Sequence, residues 1–196
     1  MAIDPTRDAL VLVDVQNDFC PGGALAVPEG DRVVPVLNRY IARFQAAGAP
    51  VFASRDWHPA QTRHFKAWGG VWPPHCVQGT AGAAFHAGLA VPADATVVSK
   101  GMDPESDAYS CFQAEDPAGM PFAAALGERG VQRLCVGGLA TDYCVKATVL
   151  DALREGFEVL VLRDAVRAVD VEPGDGDRAL AEMREAGARF GTLDTA

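Results

Sequence analysis

The run Ala9-Leu-Val-Leu-Val-Asp-Val15 decides the fold class. Its aliphatic residues do not alternate with polar ones, so a strand here has to be covered on both faces, as in parallel sheets wrapped by helices. Asp14 is the one charge in the run. Downstream, residues 31–47 carry Val33, Val36, Leu37, Tyr40, Ile41 and Phe44 at helical spacing, with Gly48 as a stop. Further strands are expected at 50–54, 95–99, 132–136 and 157–162, with a short sixth at 188–193. Helices are expected at 119–129, at 142–155 after a turn at Gly137-Gly138, and at 176–186. This alternation predicts a three-layer α/β/α fold with a doubly wound, mostly parallel sheet. Residues 55–92 break the rhythm. They are rich in Trp, His, Pro and Gly, too long for an ordinary connection, and read as a functional loop insertion.

Composition sets the frame. The 196 residues are expected to form a single domain over 1–196. The content of 49% apolar and 22% charged residues is that of an ordinary globular protein. Asp and Glu number 26 against 17 Lys and Arg, and the resulting net charge of −9 argues against nucleic acid or an anionic membrane as partner. Five cysteines, an odd number with no CxxC pair, read as reduced thiols. With no signal-peptide pattern and no apolar run of membrane-spanning length, the expectation is a cytoplasmic protein. Self-association into a homo-oligomer is left open.

In open α/β sheets ligands bind beyond the carboxyl ends of the strands. Four predicted strand ends deliver chemistry there: Asp14, then Asp56 with His58, then Lys100, then Cys144. A free thiol at pH 7 is only about 3% thiolate, so a nucleophilic cysteine needs a lowered pKa or an adjacent base. A helix N-terminus and Lys100 offer positive charge to Cys144, and Asp14 offers a base. Backbone N–H groups of the loop 138–144 are candidates for an oxyanion hole. Each residue also has a plainer reading. Cys144 is then a small buried hydrophobe, Asp14 an acceptor for backbone N–H groups, and Lys100 a solvated strand end. Their coincidence on one rim favours an enzyme.

Asp56, His58, His64 and His75 form a second set. One carboxylate with up to three imidazoles suits a divalent ion, with Zn²⁺, Mn²⁺ and Fe²⁺ all compatible. His86 lacks such company and reads as structural. Phe19, Trp72 and Tyr109 lie close in sequence to these residues and offer flat walls to a ring, although aromatics are more often core.

Val13-Asp-Val-Gln-Asn-Asp-Phe19, Asp56-Trp-His58 with His64, Trp72-Pro-Pro-His-Cys76, Lys100-Gly101 and Gly138-Leu-Ala-Thr-Asp-Tyr-Cys-Val145 together resemble the nicotinamidases of the isochorismatase-like cysteine hydrolases. The likeness runs from about residue 8 to 190. It implies hydrolysis of nicotinamide to nicotinate and ammonia in NAD salvage. Cys144 would be the nucleophile forming a thioester, Asp14 the proton shuttle, and Lys100 the charge that favours the thiolate. Asp56, His58, His64 and His75 would hold a divalent metal, zinc first and iron or manganese as alternatives, that positions the pyridine nitrogen. The resemblance also implies a cis peptide at Leu139-Ala140, an oxyanion hole from the N–H groups of Ala140 and Cys144, and substrate contacts from Phe19, Trp72, Leu139 and Tyr109. The competing enzyme is a metal-independent amidohydrolase of the same superfamily acting on an N-carbamoyl or ureido substrate. A scaffold or metal-binding module without catalysis is the alternative of another class.

Overall fold

A computed structural model describes residues 2–192. Six strands form one sheet: β1 (Asp8–Val13), β2 (Val51–Asp56), β3 (Thr96–Lys100), β4 (Arg133–Leu139), β5 (Glu158–Arg167) and β6 (Arg189–Gly191). Their order is β3-β2-β1-β4-β5-β6, and all five pairings are parallel. Four helices flank it: α1 (Val33–Ala47), α2 (Phe122–Glu128), α3 (Lys146–Arg154) and α4 (Asp175–Glu185). This is the doubly wound α/β architecture expected from the sequence. Residue 193, the last of the expected sixth strand, lies outside the described residues.

Strand β1 is buried throughout, and its side chains divide by parity. Leu10 and Leu12 join Val33, Leu37, Ile41 and Phe44 of α1 in one apolar cluster. Ala9, Val11 and Val13 join Phe122, Leu126, Val149 and Met183 of α2, α3 and α4 in a second cluster on the opposite face. The period-2 geometry of a strand produces this split, which explains why the run could not carry polar residues. The chain leaves β1 for β2 on one side and returns to β4 on the other. Right-handed crossovers therefore place α1 on one face and α3 and α4 on the other. The crossover from β2 to β3 contains no α-helix. Instead Cys76, Ala83 and Leu89 of the long loop pack into the α1-side cluster.

The structure corrects the reading of Gly137-Gly138 as a turn. Both belong to β4, where they pair with Leu12 and Val13. Gly138 has φ +130°, and a Cβ there would lie 2.1 Å from Val13 O. The glycines let two backbones approach while the β4–β5 register shifts between Val136 and Gly138. Strand β5 accordingly continues to Arg167, past the expected end at 162. The expected helix at 119–129 starts only at Phe122, after Pro121. The helix expected at 142–155 begins as a π-helical turn, Thr141–Val145, before α3.

Candidate active site

The switch point of the sheet lies between β1 and β4, where a cleft opens at the strands' carboxyl ends. Asp14 follows β1 directly in a left-handed conformation (φ +49°), which Asp tolerates better than most residues. Its Oδ1 accepts a hydrogen bond from Ser54 Oγ at 2.7 Å, and its Oδ2 lies 2.8 Å from Lys100 Nζ. Lys100, the last residue of β3, is fully buried and reaches back across the sheet. Its ammonium also pairs with Asp56 Oδ1 and lies 3.5 Å from Cys144 Sγ. Cys144 sits in the π-helical turn that follows β4. Three residues predicted from separate strand ends thus meet at one ammonium group.

Burial sets the proton affinities here. Desolvation pushes the Asp14 carboxyl above its usual range, although Lys100 opposes the shift. The same burial pushes the Cys144 thiol well up, with Lys100 pulling down and Asp14 and Asp56 pushing up. For Lys100, burial favours the neutral amine, but Asp14 and Asp56 outweigh it and hold the ammonium. Two buried carboxylates share the lysine's charge. Of the two routes open to Cys144, a lowered pKa or an adjacent base, this environment favours the base. Burial raises Cys20, Cys76, Cys111 and Cys135 as well. Direct contact with an ammonium distinguishes Cys144 from these four.

Asp56 faces two ways. While Oδ1 pairs with Lys100, Oδ2 lies 3.5 Å from His58 Nε2 and 3.9 Å from His75 Nε2. Burial works against its charge, but the Lys100 ammonium holds the carboxyl well below the usual range. His58, His64 and His75 are buried together, with ligand atoms all within 4.8 Å of one another. Each Nδ1 meets an acceptor-only partner: Gly101 O at 3.0 Å for His58, Asp107 Oδ1 at 2.6 Å for His64 and Pro73 O at 2.8 Å for His75. The proton is then on Nδ1 and the lone pair on Nε2, as in metal-ligating histidines. Burial lowers His64 and pushes His75 down to about 4, which favours the neutral form of those two rings. His58 Nε2 is buried with no hydrogen-bond partner among the described residues. An orphaned lone pair beside two further imidazoles and a carboxylate fits a divalent cation. Gly101 makes room for this, since a Cβ on it would lie 2.4 Å from His58 Cε1.

Cys144, Asp56, His64 and His75 line one pocket together with Phe19, Trp72, Tyr109 and Ala140. Trp72 Nε1 donates to the Tyr109 hydroxyl at 2.9 Å, which fixes two of its walls. The Leu139-Ala140 peptide is cis, and Ala140 O accepts from the N–H groups of Tyr143 and Val145. Leu139 departs from expectation. Its fully buried side chain belongs to the α1-side core and does not line the pocket. Tyr143, Leu25, Val27 and Val169 line the pocket without having been anticipated. Tyr143, adjacent to Cys144 and edge-on to Trp72, was the one with a usable sequence signal. Asp107 and Ser54 were also missed, since their partners lie 43 and 40 residues away.

The chain matches the Isochorismatase domain family over residues 8–195. It is 46% identical to the nicotinamidase of Escherichia coli, with 94% of each chain covered. It is 41% identical to the nicotinamidase/pyrazinamidase of Mycobacterium tuberculosis, covering 91% of this chain and 95% of that one. Among solved structures, the pyrazinamidase of Pyrococcus horikoshii in complex with zinc superposes with a TM-score of 0.89 at 47% identity, covering 95% of this chain and 99% of that one.

Proposed function

The chain belongs to the isochorismatase-domain family, and on that premise we propose that it is a nicotinamidase, converting nicotinamide and water to nicotinate and ammonia. The observation that carries the reading is the meeting of Asp14, Lys100 and Cys144 at the floor of the site, with Cys144 lining the same pocket as Asp56, His64 and His75. Relatives of that activity and similar length support the substrate, and the likeness to a zinc-bound pyrazinamidase supports the site.

In the proposed reaction Asp14, raised by burial, takes the thiol proton as Cys144 Sγ attacks the carboxamide carbon. Lys100 compensates the negative charge that the step leaves on the buried Asp14–Cys144 pair. The N–H groups of Ala140 and Cys144 are the proposed donors to the tetrahedral oxyanion, each typically worth about 3–4 kcal/mol. Asp14 returns its proton to the departing ammonia, leaving a thioester on Cys144. Water then attacks the thioester with Asp14 again as base, releasing nicotinate and the thiol. Phe19, Trp72 and Tyr109 hold the ring by its faces and edges. Asp56, His58, His64 and His75 are the proposed ligands of one divalent metal, zinc first among candidates with iron and manganese behind it. Once bound, it supplies a Lewis-acid anchor for the pyridine nitrogen.

The test is ammonia release from nicotinamide. Wild-type protein should be active, and Cys144→Ala should fall to background with an unchanged circular dichroism spectrum. Full activity in that variant would end the covalent route. A panel of N-carbamoyl and ureido compounds, assayed with and without chelator, separates this reading from the metal-independent amidohydrolase.

A further inference from the structure

The three imidazoles of the cluster are steered by different kinds of partner. His58 and His75 donate Nδ1–H to main-chain carbonyls, which no side-chain substitution removes. His64 donates to a side chain instead, Asp107 Oδ1. The Asp107 side chain is 55% exposed, whereas that of His64 is 3% exposed. The segment that carries Asp107 is docked on the residues beside His64. Arg63 N–H and the Thr62 hydroxyl both donate to Pro104 O, and the Arg63 guanidinium pairs with Glu105 at 3.2 Å. Gln113 Nε2 donates to Asp107 O from the other side. A folded turn therefore delivers the carboxylate to the ring, not a freely swinging side chain.

A neutral imidazole has one N–H and one lone pair, and only the nitrogen without the proton can ligate a metal. With a carboxylate on Nδ1, the proton stays there and the Nε2 lone pair is turned into the cluster. Outer partners of this kind typically contribute 10–100-fold to metal affinity.

We propose that Asp107 is a positioning residue for the metal centre, fixing the tautomer and orientation of His64 from the exposed turn after β3. The inference rests on the metal-dependent reading above. It is tested by titrating Zn²⁺-loaded protein with a chromophoric chelator and measuring the Zn²⁺ dissociation constant. Asp107→Ala should weaken binding roughly 10–100-fold. Asp107→Asn, whose side-chain oxygen still accepts from Nδ1–H, should recover to within a few-fold of wild type. Glu105→Ala removes a charge from the same turn and an ion pair exposed on both sides, which contributes little, while the hydrogen bonds to Pro104 O remain; it should bind as wild type. Thermal midpoints of the metal-free Asp107 variants should match that of the metal-free wild type. Unchanged affinity in Asp107→Ala overturns the inference. An equal loss in Asp107→Ala, Asp107→Asn and Glu105→Ala also overturns it, since loop charge alone would then explain the effect. His75→Ala separates the two levels: if it binds zinc as wild type does, the metal reading itself fails.

Discussion

Lys100 is the residue on which both halves of the site lean. Its ammonium is buried between Asp14 and Asp56, so removing it strands two carboxylates out of water. Breaking a buried pair in this way typically costs about 3–5 kcal/mol. Lys100→Ala should therefore lose stability as well as activity, and urea denaturation would show it as a lower midpoint. A variant with the wild-type midpoint would contradict the ion-pair account. Ser54→Ala should act more narrowly. It removes the donor to Asp14 Oδ1, a bond to a charged group worth roughly 1.5–3 kcal/mol. If that donor orients the base, kcat should fall about 10–100-fold with KM little changed. The four triad and metal positions at strand ends were legible because parallel strands send their carboxyl ends to one rim. Ser54 and Asp107 were not legible: a hydrogen bond across 40 or more residues leaves no local pattern.

At the level of elements, β4 shows where pattern and structure part. Paired glycines ordinarily signal a turn, yet Gly137 and Gly138 continue the strand because its neighbours press on it from both sides. Gly138→Ala would place a methyl group against Val13 backbone atoms at a φ that suits only glycine. The combined cost of overpacking and backbone strain is about 3 kcal/mol or more. Thermal melting should register it, and wild-type stability in this variant would refute the close-approach account. The same crowding explains why β5 outruns its aliphatic core: residues past the register shift pair with Gly138 and Leu139. Neither effect could be read from one segment alone, since each depends on what its neighbour does. Strand β1 was easier, because burial on both faces leaves an uninterrupted aliphatic run from Ala9 to Val13.

Over the whole molecule, the proposed metal site stands largely outside the sheet: three of the four ligands ride on the β2–β3 loop, which is held to the α1-side core by Cys76, Ala83 and Leu89. A chelator should therefore abolish ammonia release while far-ultraviolet circular dichroism stays near that of the loaded protein. Restoring Zn²⁺ should raise the melting temperature in a concentration-dependent way, by about 4 kcal/mol of stability at 1,000 times its dissociation constant. No helix among the described residues is long and apolar enough to cross a membrane. The strand order carries a last consequence, for synthesis on the ribosome. β1 is central and, after Asp8, wholly apolar, but its partner β4 begins about 120 residues later. At roughly 5–20 residues per second, the nascent chain presents one uncovered flank of its stickiest strand for roughly 6–25 s. Chains stalled before Arg133 should be cut readily by protease and retained by chaperones, and chains released after β5 should not.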